Sequence, residues 1–216
     1  MTLRVAIDGP AGSGKSTLAR GLARELGLPY VNTGLMYRAL TRRALDLGID
    51  LRDAPALTAL ARSMEVDLDH ASSPPEIAID GSRPGPELAT PEVEANVSVV
   101  ASHQEVREVM VERQRDLGHD GAVMEGRDIG RVVMPDATVK IFLDARPDER
   151  AGRRTEERGA SRSLAEALAR RDEMDARTNP FVPAPDAVRL DTSDKTVEEA
   201  LAEALAIVRR EAGEAP

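Results

Sequence analysis

The chain has 216 residues, enough for one α/β domain with a sizeable core and room for an insertion. It has no cysteine, which excludes a disulfide framework and a thiolate metal site, and its net charge of −9 argues against a broad nucleic-acid- or membrane-binding face. Aromatics are confined to Tyr30, Tyr37, Phe142 and Phe181, so the core must be aliphatic and a stacking platform for single-stranded nucleic acid is missing.

The first apolar run, Leu3 to Ile7, reads as a strand. It starts too early to leave a signal peptide, and no stretch approaches the ~18 apolar residues of a membrane span, so a cytoplasmic location is expected. Gly9-Pro-Ala-Gly-Ser-Gly-Lys-Ser-Thr17 follows, and then a helical pattern from Leu18 to Leu26. Strand, glycine-rich turn and helix in that order form the setting of a phosphate-binding P-loop. Gly9, Gly12 and Gly14 let the backbone through Pro10, Ala11 and Ser13 fold tightly enough to aim N–H groups at an anion. Lys15 would reach the outer phosphates of a nucleoside triphosphate, the Ser16 hydroxyl would ligate magnesium, and Thr17 continues the motif.

Pro29 to Asn32 is a short strand, and a helical stripe from Leu35 to Leu47 stops at Gly48. Asp53-Ala-Pro55 opens a short helix. Over residues 64–90, Val66 and Leu68, then Ile77 and Ile79, alternate with polar residues around four prolines. With Asp80-Gly81 as the hairpin turn, this predicts a small antiparallel insertion on a helical background. Helices from about Pro91 and about His103 come next, then a strand over residues 122–125 and the run Gly126 to Gly130. Thr138 to Leu143 is a strand, Pro147 opens a helix, and a further helix spans about Leu164 to Arg177. Ala187 to Leu190 is the last strand, and Thr196-Val-Glu-Glu199 opens the closing helix with a capping box. Strands alternating with helices predict a doubly wound parallel sheet with helices on both faces, in one domain spanning residues 1–216.

An ATPase motor or switch GTPase is disfavoured. The nearest candidate for a magnesium-holding strand end, Ile141 to Asp144, is followed by Ala145, and no guanine-reading Asn-Lys-x-Asp is present. The plan suits a small-molecule kinase. Six runs then carry a closer likeness: Ile7 to Thr17, Asn32 to Arg38, Glu125 to Gly130, Val139 to Asp144, Arg171 to Asp175 and Asp186 to Thr192. In order and spacing the chain resembles the bacterial cytidylate kinases, P-loop nucleoside monophosphate kinases that phosphorylate CMP or dCMP with ATP and magnesium. The resemblance implies a monomer with a nucleoside monophosphate-binding region over about residues 33–118 and a helical lid over about 147–160.

It also implies roles residue by residue. Arg38 and Arg127 match the acceptor-phosphate arginines and, with Lys15, form the catalytic set; Thr33 and Tyr37 flank them. Ser98, Arg107 and Asp128 match the trio that reads cytosine. Arg171 and Asp175 match the ribose contacts, although an ordinary i,i+4 salt bridge is the plainer reading. Arg150 and Arg154, with Arg153 and Arg158, match the lid that closes on ATP, where only one or two are expected to touch nucleotide. One departure stands out: the family places a phosphate-binding arginine at the position of Thr178, and Arg177 lies one residue earlier. Lesser ones are Ala89, Arg131 and Met134. Rival expectations are a kinase for UMP or for both pyrimidines, and a nucleotide-binding module without catalysis.

Overall fold

The strand expected at the start is β1 (Arg4–Asp8), and the helix after the glycine-rich loop is α1 (Lys15–Leu26), closed by Gly27 in the left-handed conformation. These belong to a computed structural model that describes residues 2–158 and 182–213, excepting the side chains of Ala151 and of residues 154–158. The order continues through β2 (Tyr30–Asn32), α2 (Thr33–Asp46), α3 (Ala54–Ser63), β3 (Val66–Asp69) and β4 (Glu76–Ile79). Then come α4 (Pro91–Ser102), α5 (Gln104–Gly118), β5 (Ala122–Gly126), β6 (Val139–Asp144), α6 (Pro147–Arg158), β7 (Val188–Asp191) and α7 (Val197–Glu211). The expected helix over residues 164–177 lies outside the described residues.

The seven strands form one sheet in the order β3-β4-β2-β5-β1-β6-β7, parallel except for the β3–β4 pair. Successive side chains of a strand point to opposite faces, and the core divides accordingly. Val5, Ile7 and Val123 pack with α1 and α7, whereas Ala6, Ala122 and Met124 pack with α2, α3 and α5 on the other face. The doubly wound sheet expected from the alternation of elements is therefore present, built from aliphatic side chains.

Local chemistry sets the helix ends. Asn32 caps α2 through its side chain, Asp53 caps α3, and Thr196 with Glu199 makes the expected capping box on α7. Gly48, at φ 66°, ends the turn after α2.

The insertion differs from its expected form in two ways. β3 and β4 do pair antiparallel, Val66 opposite Ile79, but β4 joins the main sheet alongside β2 through Tyr30 and Glu76. Asp80 and Gly81, both at positive φ, do not join the two strands; they turn the chain between Ile79 and Ser82, after β4. Residues 70–75 make the connection. An Asp-Gly turn and a longer loop leave the same alternation of apolar residues on either side, so sequence pattern alone did not distinguish them.

Candidate active site

Strands β2, β5 and β1 are neighbours, so their carboxyl ends bring together three segments far apart in sequence. Asn32 pairs with Glu125, and Asp8 with Gly126. In an open parallel sheet this edge is where ligands bind, because the turns leaving the strands diverge there. A cleft of about 210 Å³ occupies it.

The glycine-rich loop follows β1. Gly9, Gly12 and Gly14 all have positive φ, and a side chain at Gly9 would collide with the Leu143 carbonyl. Ala11, Lys15 and Ser16 line the cleft. Lys15 Nζ donates to the Pro10 carbonyl at 2.6 Å, which holds the ammonium over its own loop. Arg150 Nη1 donates to the Ala11 carbonyl at 3.0 Å, placing the start of α6 against the loop. Arg153 donates to the Thr192 carbonyl at 2.5 Å, and its Nη1 lies beside Gly14 of the loop. Thr17 is exposed and lies outside the cleft lining.

The opposite wall comes from α2, α4, α5 and the turn after β5. Thr33, Tyr37, Arg38, Ser98, Arg107, Arg127 and Asp128 all line the same cleft as Lys15 and Ser16. Thr33 Oγ1 donates to the Glu125 carbonyl at 2.7 Å, and Gly126 has no room for a side chain there. Arg38 Nη2 lies 2.9 Å from Glu94 Oε1, and Arg127 Nη1 donates to the Gly9 carbonyl at 3.3 Å. Asp128 pairs with Arg107, Nη2 to Oδ2 at 2.5 Å, rather than with its sequence neighbour Arg127. Burial pushes the Tyr37 hydroxyl up to about 12. The side chains of Arg154 and Arg158, and the whole of Arg171, Asp175 and Arg177, fall outside what is described.

Three groups at this site escaped sequence reasoning. Asp8 Oδ1 accepts from Ile129 N at 2.7 Å and Oδ2 from Gly130 N at 2.8 Å, which ties the end of β1 to the π-helical turn Ile129–Val133. Desolvation raises its carboxyl to about 6, against the lowering effect of those two backbone donors and of Lys15. A charged residue ending an apolar strand was the available signal. Glu125, also lining the cleft, is 3% exposed and accepts from the Tyr30 hydroxyl at 2.5 Å. Gln114, on α5, is 2% exposed; a glutamine among helical positions gives no sequence signal.

The donor set suits a magnesium ion carried by a nucleotide. Among the described residues no group of three or more His, Asp or Glu side chains could hold a metal, whereas the Ser16 hydroxyl opens onto the cleft. A magnesium ion held by one hydroxyl, phosphate oxygens and water needs no more from the protein. No described helix is long and apolar enough to cross a membrane.

Solved structures resemble this fold at low identity. A gluconokinase from Sinorhizobium meliloti aligns with a TM-score of 0.55 and 16% identity, over 98% of this chain and 94% of that one. A sugar kinase from Janibacter sp. HTCC2649 gives 0.53 and 17%, over 100% and 99%. These likenesses concern the fold. Sequence relatives are nearer. A cytidylate kinase from Desulfitobacterium hafniense is 45% identical over 207 residues, covering 91% of this chain and 88% of that protein. One from Geobacillus kaustophilus is 44% identical over 220 residues, covering 98% of each. The cytidylate kinase family model matches residues 5–210. With that match spanning nearly the whole chain, and relatives above 40% identity over nearly their full length, the chain belongs to the cytidylate kinase family.

Proposed function

We propose that this cleft holds ATP and CMP or dCMP end to end and lets the γ-phosphoryl group pass between them. As a member of its family the chain is an ATP-dependent nucleoside monophosphate kinase acting on CMP or dCMP. A UMP kinase is not favoured. The observation that carries the residue assignments is that Lys15 and Ser16 share one cleft with Arg38, Arg107, Arg127 and Asp128.

The attacking atom is an oxygen of the CMP phosphate. Its second pKa is about 6, so at pH 7 it is already anionic and needs no general base. It bonds to the γ-phosphorus of ATP as the bond to the bridging oxygen breaks, leaving ADP and CDP. The barrier is electrostatic: two unit charges about 5 Å apart repel by roughly 3 kcal/mol at an effective dielectric near 20, and several such pairs arise here. Lys15 and the loop N–H groups take the ATP phosphates, joined by Arg150 and, in closure, Arg154. Arg38 and Arg127 take the CMP phosphate, each with a planar fork that binds two oxygens at once. Ser16 would hold the magnesium ion that accompanies ATP, which would supply further charge neutralisation.

Base selection rests on Asp128, which would accept the exocyclic amine of cytosine with Arg107 and Ser98 beside it. Uracil carries a carbonyl at that position and would face the carboxylate lone pair to lone pair. The ribose falls to Arg171 and Asp175, and Arg177 takes the place of the arginine that the family has at Thr178. Residues 33–118 form the acceptor-binding region and residues 147–160 the lid of a single domain. The reading is of a cytoplasmic monomer. Initial rates with CMP, dCMP, UMP, AMP and GMP under saturating ATP test the reading. CMP and dCMP should lead; a UMP rate above the CMP rate would overturn the base assignment.

A further inference from the structure

Asp8 ends β1, opposite Gly126 of β5, and is 6% exposed. It does not line the cleft, yet both of its oxygens are committed to the segment that does. Ile129 N donates to Oδ1 and Gly130 N to Oδ2. These N–H groups open the π-helical turn Ile129–Val133 and, like the first donors of any helix, have no partner inside it. The N-cap position belongs to Asp128, a residue type that ordinarily accepts such donors itself. Here it makes no cap bond, and its carboxylate accepts from Arg107 Nη2 at 2.5 Å instead. Asp8 thus caps the turn from another strand, and Asp128 is spared for the cleft.

The same end of β1 also holds Arg127. Gly9, the next residue, accepts from Arg127 Nη1 at 3.3 Å, and Gly9 opens the phosphate loop. The pair Asp8-Gly9 therefore grips the chain on both sides of Arg127 and Asp128, through one side chain and one carbonyl. Gly130 leaves the carboxylate room to approach: a Cβ there would stand 3.3 Å from Asp8 Oδ2 and 3.2 Å from Lys140 Cδ. We infer that Asp8 is a positioning residue whose carboxylate sets the register between the phosphate loop and the turn after β5, so that Arg127 and Lys15 face the two reacting phosphates at fixed separation. Phosphoryl transfer is sensitive to that register, because misplacing a group by about 1 Å can cost roughly 100-fold in rate. Asp8 acts through Arg127, and the inference rests on the assignment of Arg127 to the acceptor phosphate proposed above.

A double-mutant cycle at pH 8, where the carboxylate is ionised, tests it. Asp8→Asn keeps the size but turns an amide N–H towards one of the two backbone donors. It should lower kcat/KM for CMP by about tenfold or more, the effect of losing one charge-assisted hydrogen bond, and leave the KM for ATP within about twofold. In an Arg127→Ala background the same change should cost less than about threefold, since the group that Asp8 positions is gone. A general weakening of the fold or of the loop would instead cost the same factor in both backgrounds, and that result overturns the inference. So does an Asp8→Asn protein as active as the wild type, or one whose loss lies in a raised KM for ATP. Should Asp8→Asn fail to fold, Asp8→Ser, whose shorter hydroxyl can still accept one N–H, runs the same cycle. The two readings fail separately: full activity in Arg127→Ala rejects the phosphate assignment and Asp8 with it, whereas a large loss in Arg127→Ala with additive costs rejects only Asp8.

Discussion

Arg38 on α2 and Glu94 on α4 meet across the cleft wall, Nη2 to Oε1 at 2.9 Å, with 15% and 16% of their side chains exposed. A pair so shielded fixes the guanidinium plane before any phosphate arrives. Arg38→Ala should lower kcat/KM for CMP by about 100-fold, the worth of two charge-assisted hydrogen bonds, and leave the KM for ATP within about twofold. Arg38→Lys should recover little, since a point charge cannot reproduce the fork. Steady-state rates at varied CMP decide this; an unchanged KM for CMP in Arg38→Ala rejects the assignment.

Asp128 is predicted to set the choice between C and U. Asp128→Asn keeps the size but supplies both an acceptor and a donor, so it can face either base. The ratio of kcat/KM for CMP over UMP should fall by about tenfold or more. A ratio that holds steady while both rates drop would mean that Asp128 matters only through its pair with Arg107.

Asp8 carries a pH signature. Its carboxyl is raised to about 6 in the folded chain from an ordinary 3.8, so the folded state holds the proton more tightly than the unfolded one. Its contribution to stability is therefore greatest below pH ~4 and is lost as pH rises through ~6, on the order of 3 kcal/mol in all. Relative to Asp8→Asn, the wild type should lose stability across that interval. Urea unfolding of both proteins at several values between pH 4 and pH 7 measures the difference, and a difference that does not vary with pH contradicts it.

Gly126 has a steric prediction. A methyl group there would stand 2.6 Å from both Thr33 Oγ1 and Ile129 Cδ1. Gly126→Ala should cost about 1–3 kcal/mol by overpacking and raise the KM for CMP as Thr33 is displaced. Thermal unfolding together with CMP titration checks both parts.

The phosphate loop could be read directly from the sequence, because its chemistry is local: glycines at fixed spacing, a lysine and a hydroxyl between a strand and a helix. The capping box at Thr196, the stop at Gly48 and the strand–helix alternation were legible for the same reason, each depending on neighbours a few residues away. The likeness of Asn32 to Arg38 and Glu125 to Gly130 to a known family named the acceptor residues, but not their partners. That Asp128 pairs with Arg107 rather than Arg127, that Arg38 meets Glu94, and that Asp8 fastens the turn after β5 are consequences of which strands lie side by side. The place of β4 in the main sheet and the burial of Gln114 were likewise decided in three dimensions. Backbone propensity and apolar period act within a few residues, whereas ion pairing and desolvation depend on what the folded chain brings near, and only the assembled sheet determines that.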